Sequence, residues 1–213
     1  MASAHAVILQ SGGLRSLVAT AAILGEADRV RPLLLHVVDG RVAGAQRLEH
    51  VHRQAEYYGI SRVIEMDCRH LYGHGLGFGS DGAPMGSVVG PQMMLAGLGL
   101  ARLHQVERVV WAGSFNVDTR AMARATEQMM LCEHLASLEG APLPRLEAPL
   151  LELTDQQVIE LGAQLGVPWP LAWSCLMDGD RPCRVCGACR RRRAAFDGAG
   201  LVDPAEKLAT AGR

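Results

Sequence analysis

His5-Ala6-Val7-Ile8-Leu9-Gln10-Ser11-Gly12-Gly13-Leu14-Arg15-Ser16 is the stretch that decides the fold. The apolar run from His5 to Leu9 has the length and composition of a buried strand. It ends in a polar turn with two glycines, and Leu14 to Leu24 then reads as a helix that stops near Gly25. A glycine turn between strand and helix lets backbone amides converge, and the helix N-terminus adds partial positive charge. Together they suit a phosphate. The same spelling also describes an ordinary tight turn with a helix cap, so the loop alone leaves both readings open.

Outward from this loop the alternation continues. Leu33 to Val38, Arg62 to Met66 and Val109 to Ala112 read as strands, the last ending at Gly113. Helical patterns cover Gln46 to Tyr58, ended by Gly59, then Gln92 to His104 and Thr119 to Leu138. Thr154-Asp155-Gln156-Gln157 spells a capping box that opens a helix running to Leu165. Cys68 to Ser87 is glycine-rich and without period, a long loop of the functional or mobile kind. Regular strand–helix alternation predicts an α/β fold, a parallel sheet with helices on both faces. Prolines break the pattern after Gly166, so residues 1–166 form the α/β domain and 167–213 a small C-terminal segment.

That segment carries Cys175, then Cys183-Arg184-Val185-Cys186-Gly187-Ala188-Cys189. Two-residue spacers let tight turns bring successive sulfurs to one ion, and four thiolates suit tetrahedral zinc. A closed site of this kind is structural rather than catalytic. Disulfides are the alternative, but they need an oxidising compartment. The N-terminus has no basic segment followed by a long apolar one, so a cytoplasmic location is expected.

Bulk properties exclude whole classes of function. Apolar residues are 49% and charged residues 20% of the 213, which describes a chain that buries a core rather than a disordered one. A net charge of -1 gives no global case for nucleic acid or anionic membranes, and no apolar run is long enough for a membrane span. Lys207 is the only lysine, which removes lysine from most mechanisms.

Other candidates read more simply. Cys68, His70 and His74 are a possible second metal set, but a small buried cysteine and two surface histidines explain them. Cys132 and His134 lie two apart on a helix and share no face. Arg190 to Arg193 resemble a nucleic-acid patch, yet consecutive helical residues point in four directions, so direct nucleic-acid binding is not expected. Met93, Met94, Met129 and Met130 read as packing or dimer-contact residues.

Joined, the two ends of the chain resemble a known family. The loop is similar to the phosphate-binding loop of the N-type ATP pyrophosphatases, and in particular of the 7-cyano-7-deazaguanine synthases of queuosine-precursor biosynthesis. Asp39 after strand two, Gln46-Arg47 at the next helix, Gly113 through Val117-Asp118, Pro149-Leu150, Leu165-Gly166-Val167-Pro168, Trp173-Ser174-Cys175, the three-cysteine run, Arg192 and Phe196 carry the rest. The resemblance implies a Rossmann-like sheet of the adenine-nucleotide-alpha-hydrolase kind and a homodimer. It implies ATP at Leu9, Gln10, Ser11, Gly12, Gly13, Leu14, Arg15, Ser16 and Asp39, with structural zinc at Cys175, Cys183, Cys186 and Cys189. The implied reaction adenylates a 7-carboxy-7-deazaguanine carboxylate, lets ammonia form the amide, and activates again to give the nitrile.

The sequence departs from that family at named positions. Arg15 stands where the family has aspartate, which reverses charge and deletes a hard oxygen donor of the kind magnesium requires. Arg15 either binds an anion directly, in bidentate fashion, or points to solvent. Asp155 stands where the family has a lysine, Gly90-Pro91-Gln92 where it has an Arg-Asn pair, and Leu176 where it has an aromatic. Two readings follow: a synthase-type enzyme with altered or reduced activity, or a paralogue that binds a nucleotide or deazapurine, or a partner subunit, without turnover.

Overall fold

The computed structural model describes residues 6–26, 31–69, 89–115, 118–141 and 143–207. Strand β1 (Ala6–Leu9) is buried along its whole length. It lies at the centre of a five-stranded sheet with β2 (Pro32–Val38), β3 (Val63–Asp67), β4 (Arg108–Trp111) and β5 (Arg145–Glu147), in the order β3-β2-β1-β4-β5. Every pairing is parallel, and Ile8 stands beside Leu34 on one side and Val110 on the other.

The two-residue period of the strands sorts their side chains into two cores. Ala6, Ile8, Leu34 and Val110 pack with residues of α1 (Leu14–Gly25), α2 (Gly44–Tyr57) and α5 (Asp155–Gln164). Val7, Leu9, Leu33, Leu35, Val109 and Leu146 pack with α3 (Val89–Leu103) and α4 (Thr119–Ser137). Burial on both faces is why the strands read as continuous apolar runs. Met94 and Cys132 belong to the second core, while Met130 on the outer side of α4 is exposed.

Strand order reverses at β1, so the crevice above the strand ends is the place where such sheets bind ligands. β5 is the strand that sequence reading misses. It has three residues, and only Leu146 is buried, so neither an apolar run nor an alternation marks it. Pairing with β4 creates it, and Glu133 accepts the Leu146 amide at 2.6 Å, which closes this sheet edge.

The capping box forms as spelled: Gln157 N donates to Thr154 Oγ1 at 3.1 Å and Thr154 N to Gln157 Oε1 at 2.9 Å. After a 3-10 turn (Trp169–Leu171), α6 (Gly187–Gly198) and α7 (Pro204–Lys207) complete the chain. α6 packs on α5 through Phe196, Ala195 and Ile159. Within the arginine run, Arg190, Arg191 and Arg193 are exposed. Arg192 instead turns inward, donates to Asp203 from Nε at 2.7 Å and Nη2 at 2.8 Å, and donates to the Ala172 carbonyl at 2.8 Å. Cys68 is buried, with its amide on the Val38 carbonyl. His70 and His74 lie outside the described residues.

Gly162 on α5 is buried where an added Cβ would stand 2.2 Å from the Trp169 ring and 2.9 Å from Val18. Alanine gains about 1 kcal/mol of helix propensity, but overpacking costs about 1–3 kcal/mol. A contact of 2.2 Å puts the clash in the upper part of that range, so we expect Gly162→Ala to destabilise the protein by about 1–2 kcal/mol net, read from the midpoint of urea unfolding. An unchanged or raised midpoint would show that the α5–Trp169 contact is loose.

Candidate functional site

The loop after β1 is braced from inside. The Gln10 side chain donates to Thr20 Oγ1 at 3.1 Å and accepts the Gly12 amide at 3.0 Å. Ser16 Oγ takes the Ser11 amide at 3.3 Å, and Ser11 Oγ takes the Gly13 amide at 3.3 Å. The amides expected to face an anion at Gly12 and Gly13 are therefore used within the loop. The first α1 bond runs from Leu17 N to the Gly13 carbonyl at 3.1 Å, and Gly13 gives α1 no side-chain cap. That leaves the amides of Leu14, Arg15 and Ser16 as the open donors, with the helix dipole behind them.

Gly12 has φ +72°, a left-handed conformation that favours glycine, and an added Cβ would stand 2.3 Å from the Arg47 carbonyl oxygen. Its own carbonyl accepts from Trp173 N at 2.8 Å and Gln54 Nε2 at 3.2 Å. α2, through Gln54, and the C-terminal segment, through Trp173, therefore both hold the loop.

Above the sheet lies a cavity of about 500 Å³. Leu9, Gln10, Ser11, Arg15, Ser16 and Asp39 line it, so most of the sequence-expected residues converge there. Gly13 and Leu14 instead line a smaller neighbouring cavity, and Gly12 lines neither. Asp39 is buried and paired with Arg41. Trp111, Ser114 and Phe115, from the end of β4 onward, close the opposite wall.

Arg15 and Asp155, which read as separate departures in sequence, meet in space. Arg15 donates to Asp155 Oδ1 from Nη2 at 2.7 Å and from Nε at 3.1 Å. The guanidinium is engaged with a carboxylate of its own chain rather than turned to solvent. Arg15 is on α1 and Asp155 is in the first turn of α5, so the pair ties the two helices together.

Sequence reading placed Arg47 only as a helix opener. In the structure it lines both cavities, and its Nε is sealed from solvent without a hydrogen-bond partner. Burial, with Arg41 adding repulsion, pushes its guanidinium down to about 10, which leaves it charged at neutral pH. His36 was also missed. It is buried at the cavity wall, its Nδ1 donates to the Gln10 carbonyl at 2.8 Å, and burial holds its pKa below the ordinary value. A neutral ring leaves Nε2 as an acceptor. A position near the upper end of β2 or the start of α2 was the only available signal for either residue.

The four C-terminal cysteines do converge. The sulfurs of Cys175, Cys183, Cys186 and Cys189 lie within 4.8 Å of one another, an arrangement that can hold a metal ion. Backbone amides of Met177 and Cys183 point at Cys175 Sγ, that of Cys186 at Cys183 Sγ, and that of Cys189 at Cys186 Sγ. Burial works against the Cys186 thiolate, but amide donors from Leu176 and Cys189 bring its pKa down to about 6.

Comparison with known proteins agrees with this geometry. The family described as "Queuosine biosynthesis protein QueC" matches residues 116–200. A 7-cyano-7-deazaguanine synthase of Cupriavidus necator is 31% identical over 228 residues, covering 97% of this chain and 99% of that one. The chain belongs to the 7-cyano-7-deazaguanine synthase family. The synthase of Nostoc punctiforme is 52% identical, but over 66 residues that span 31% of this chain and 29% of that one. Among solved structures, the U34-tRNA thiolase NcsA of Methanococcus maripaludis, with its [4Fe-4S] cluster, superposes with TM-score 0.53 at 15% identity, covering 97% of this chain and 72% of that one. A 4-thiouridine synthetase–RNA complex with bound ATP gives TM-score 0.54 at 13% identity, covering 99% and 54%. These two share the fold. Among the described residues no helix is long and apolar enough to cross a membrane.

If Arg15 and Asp155 form their pair in solution, charge reversal should show it. Arg15→Asp places two carboxylates together and should destabilise by about 1 kcal/mol, since the lost pair is part-exposed and itself contributes about 0.2–1 kcal/mol. The exchanged variant Arg15→Asp/Asp155→Arg should recover most of that loss in thermal melting. Equal melting of the single and exchanged variants would dismiss the pair.

Proposed function

We propose that this chain is an ATP-dependent enzyme that forms a carbon–nitrogen bond on a 7-carboxy-7-deazaguanine-type carboxylate. The observation that carries it is the meeting of a nucleoside-sized cavity at the sheet's switch point with an uncapped helix N-terminus and the guanidinium of Arg47 on its wall. The near full-length similarity to the Cupriavidus synthase supports the substrate class. In this reading Leu9, Gln10 and Asp39 wall the nucleoside, and the segment from Ser11 to Ser16 faces the phosphates. A substrate carboxylate oxygen attacks the α-phosphorus of ATP and pyrophosphate leaves. Ammonia then adds to the acyl carbon and AMP leaves, giving the amide. The amide oxygen then attacks the α-phosphorus of a second ATP and pyrophosphate leaves again, and loss of AMP and the N–H proton yields the nitrile. The chain's part is positioning and charge stabilisation.

The Arg15–Asp155 pair favours a second reading, a nucleotide or deazapurine binder without turnover, because it replaces an acid and a base at the loop. We expect AMP release that depends on the deazapurine carboxylate and ammonia, slower than about 1 s⁻¹, the low end of common turnover. The assay is AMP and nitrile formation with ATP and ammonia, with and without magnesium. Nucleotide binding with no AMP release selects the binder instead, and absence of nucleotide binding removes both.

We assign zinc to Cys175, Cys183, Cys186 and Cys189. Four thiolates about 2.3 Å from one tetrahedral ion stand about 3.8 Å apart, compatible with the observed upper spacing of 4.8 Å. A four-iron cube binds each cysteine at a different corner and sets the sulfurs wider. The zinc would supply no chemistry to the cavity; it would order the segment whose Trp173 holds the loop. Purified protein should contain one zinc per chain. Cys189→Ser should cost at least ~3 kcal/mol, lowering Tm by about 10 °C. Zinc-free protein with four freely titrating thiols would refute the assignment.

A further inference from the structure

The larger cavity reaches over both faces of the sheet. His36 follows Leu34 by two residues on β2 and shares its face, towards α1 and α2. Leu9, Leu35 and Trp111 belong to the opposite face, under α3 and α4. α1 covers the first face and α4 the second, so the α4 half of the cavity lies across the crevice from the loop.

That half has an aromatic wall. Trp111 and Phe115 meet with ring centroids 5.8 Å apart and planes at 55°. Both are half-buried, and both line the cavity. A second such pair, Trp169 and Phe196, is used up in packing α6 on α5. Trp111 is held from behind by the second core, and its ring lies across Gly113, where an added Cβ would stand 2.6 Å from it. A fixed, part-exposed aromatic surface on a cavity wall offers stacking area to a flat ligand.

α4 supplies the polar groups. Ala121, Arg124, Ala125 and Gln128 recur at helical spacing, and all four line the cavity. The two alanines leave room, while Arg124 and Gln128 stand one turn apart on the same side. Among the described residues, no carboxylate forms a salt bridge with Arg124. A guanidinium only donates, whereas the Gln128 amide both donates and accepts. This pair matches the lactam edge of a guanine-type base, whose carbonyl accepts and whose ring N–H and amino group donate. An adenine-type base would turn an amino group towards the guanidinium, donor against donor.

We propose that the α4 half of the cavity holds the planar base of the second substrate, stacked on Trp111 and Phe115, with Arg124 on its ring carbonyl and Gln128 on the neighbouring N–H. The proposal rests on the reading of the cavity as the site where a nucleotide meets a deazapurine carboxylate. With the six-membered ring held at α4, the five-membered ring that carries the carboxylate faces the crevice and the loop. Trp111 and Phe115 position the base, and Arg124 and Gln128 decide which base is accepted.

Fluorescence and calorimetric titration of the purified full chain with 7-carboxy-7-deazaguanine and 7-carboxy-7-deazaadenine tests this, each with and without α,β-methylene-ATP, which cannot release pyrophosphate. The guanine-type base should quench tryptophan emission and bind at least about tenfold more tightly than the adenine-type one. Trp111→Phe should remove most of the quenching and weaken the guanine-type base by about threefold to tenfold. Arg124→Gln should bring the two bases within about twofold of each other, with the affinity for the ATP analogue changed by less than about twofold. Arg124 is exposed, so an unchanged base preference in Arg124→Gln overturns the subsite even if Trp111→Phe unfolds. Binding of the analogue with no binding of either base also overturns it and leaves the nucleotide site standing. Quenching by the analogue alone, lost in Trp111→Phe, gives the aromatic wall to adenine and overturns it too. Base binding without nucleotide binding leaves the subsite standing and removes the nucleotide reading.

Discussion

The carbonyl of Gly12 is the point on which the rest of the site depends. It accepts from Trp173 N at 2.8 Å and from Gln54 Nε2 at 3.2 Å, while the Arg47 carbonyl occupies the space a side chain on residue 12 would need. Three parts of the chain, far apart in sequence, meet at one peptide group. The loop conformation, the position of α2 and the seating of the cysteine segment are therefore one constraint. A side chain at position 12 would clash with backbone rather than with a movable tip, and would also carry the strain of a positive φ.

The cysteine segment gains a role from that contact. A four-thiolate site has no open coordination position for chemistry, but it can fix the backbone that leads into it. Trp173 lies two residues before Cys175, and both belong to one buried cluster with Cys189 and Ala43. Arg192 fastens the other end, with Asp203 and the Ala172 carbonyl as partners. Removing one member of such a buried pair costs about 3–5 kcal/mol, far more than a surface ion pair contributes. A metal held by these sulfurs would be coupled to the geometry of the loop.

Two arginines near the loop illustrate how context decides the use of one side chain. Arg15 sits in the first turn of α1, directly after the loop, yet Asp155 engages its guanidinium. Arg47 sits on another element, and no side chain satisfies its Nε. Asp155 lies in the first turn of α5, where the helix dipole favours a carboxylate.

Much of this was legible in the sequence. Apolar runs of buried strands, glycine stops and the Thr154–Gln157 box are local signals, and each element they predicted is present within a few residues at its ends. Cysteine spacing foretold the converged sulfurs, because short spacers limit how far the ligands can separate. What sequence could not supply depends on contacts between distant residues. β5 exists only because β4 offers a ladder. Arg192 looked like one of four surface charges until α6 was packed and Asp203 brought beneath it. Arg15 and Asp155 looked like two losses until 140 residues of separation closed to a single ion pair. Local sequence sets backbone preference and periodicity, whereas pairing of charges and sharing of cavity walls are decided by tertiary packing, which alone determines which polar groups lose water together.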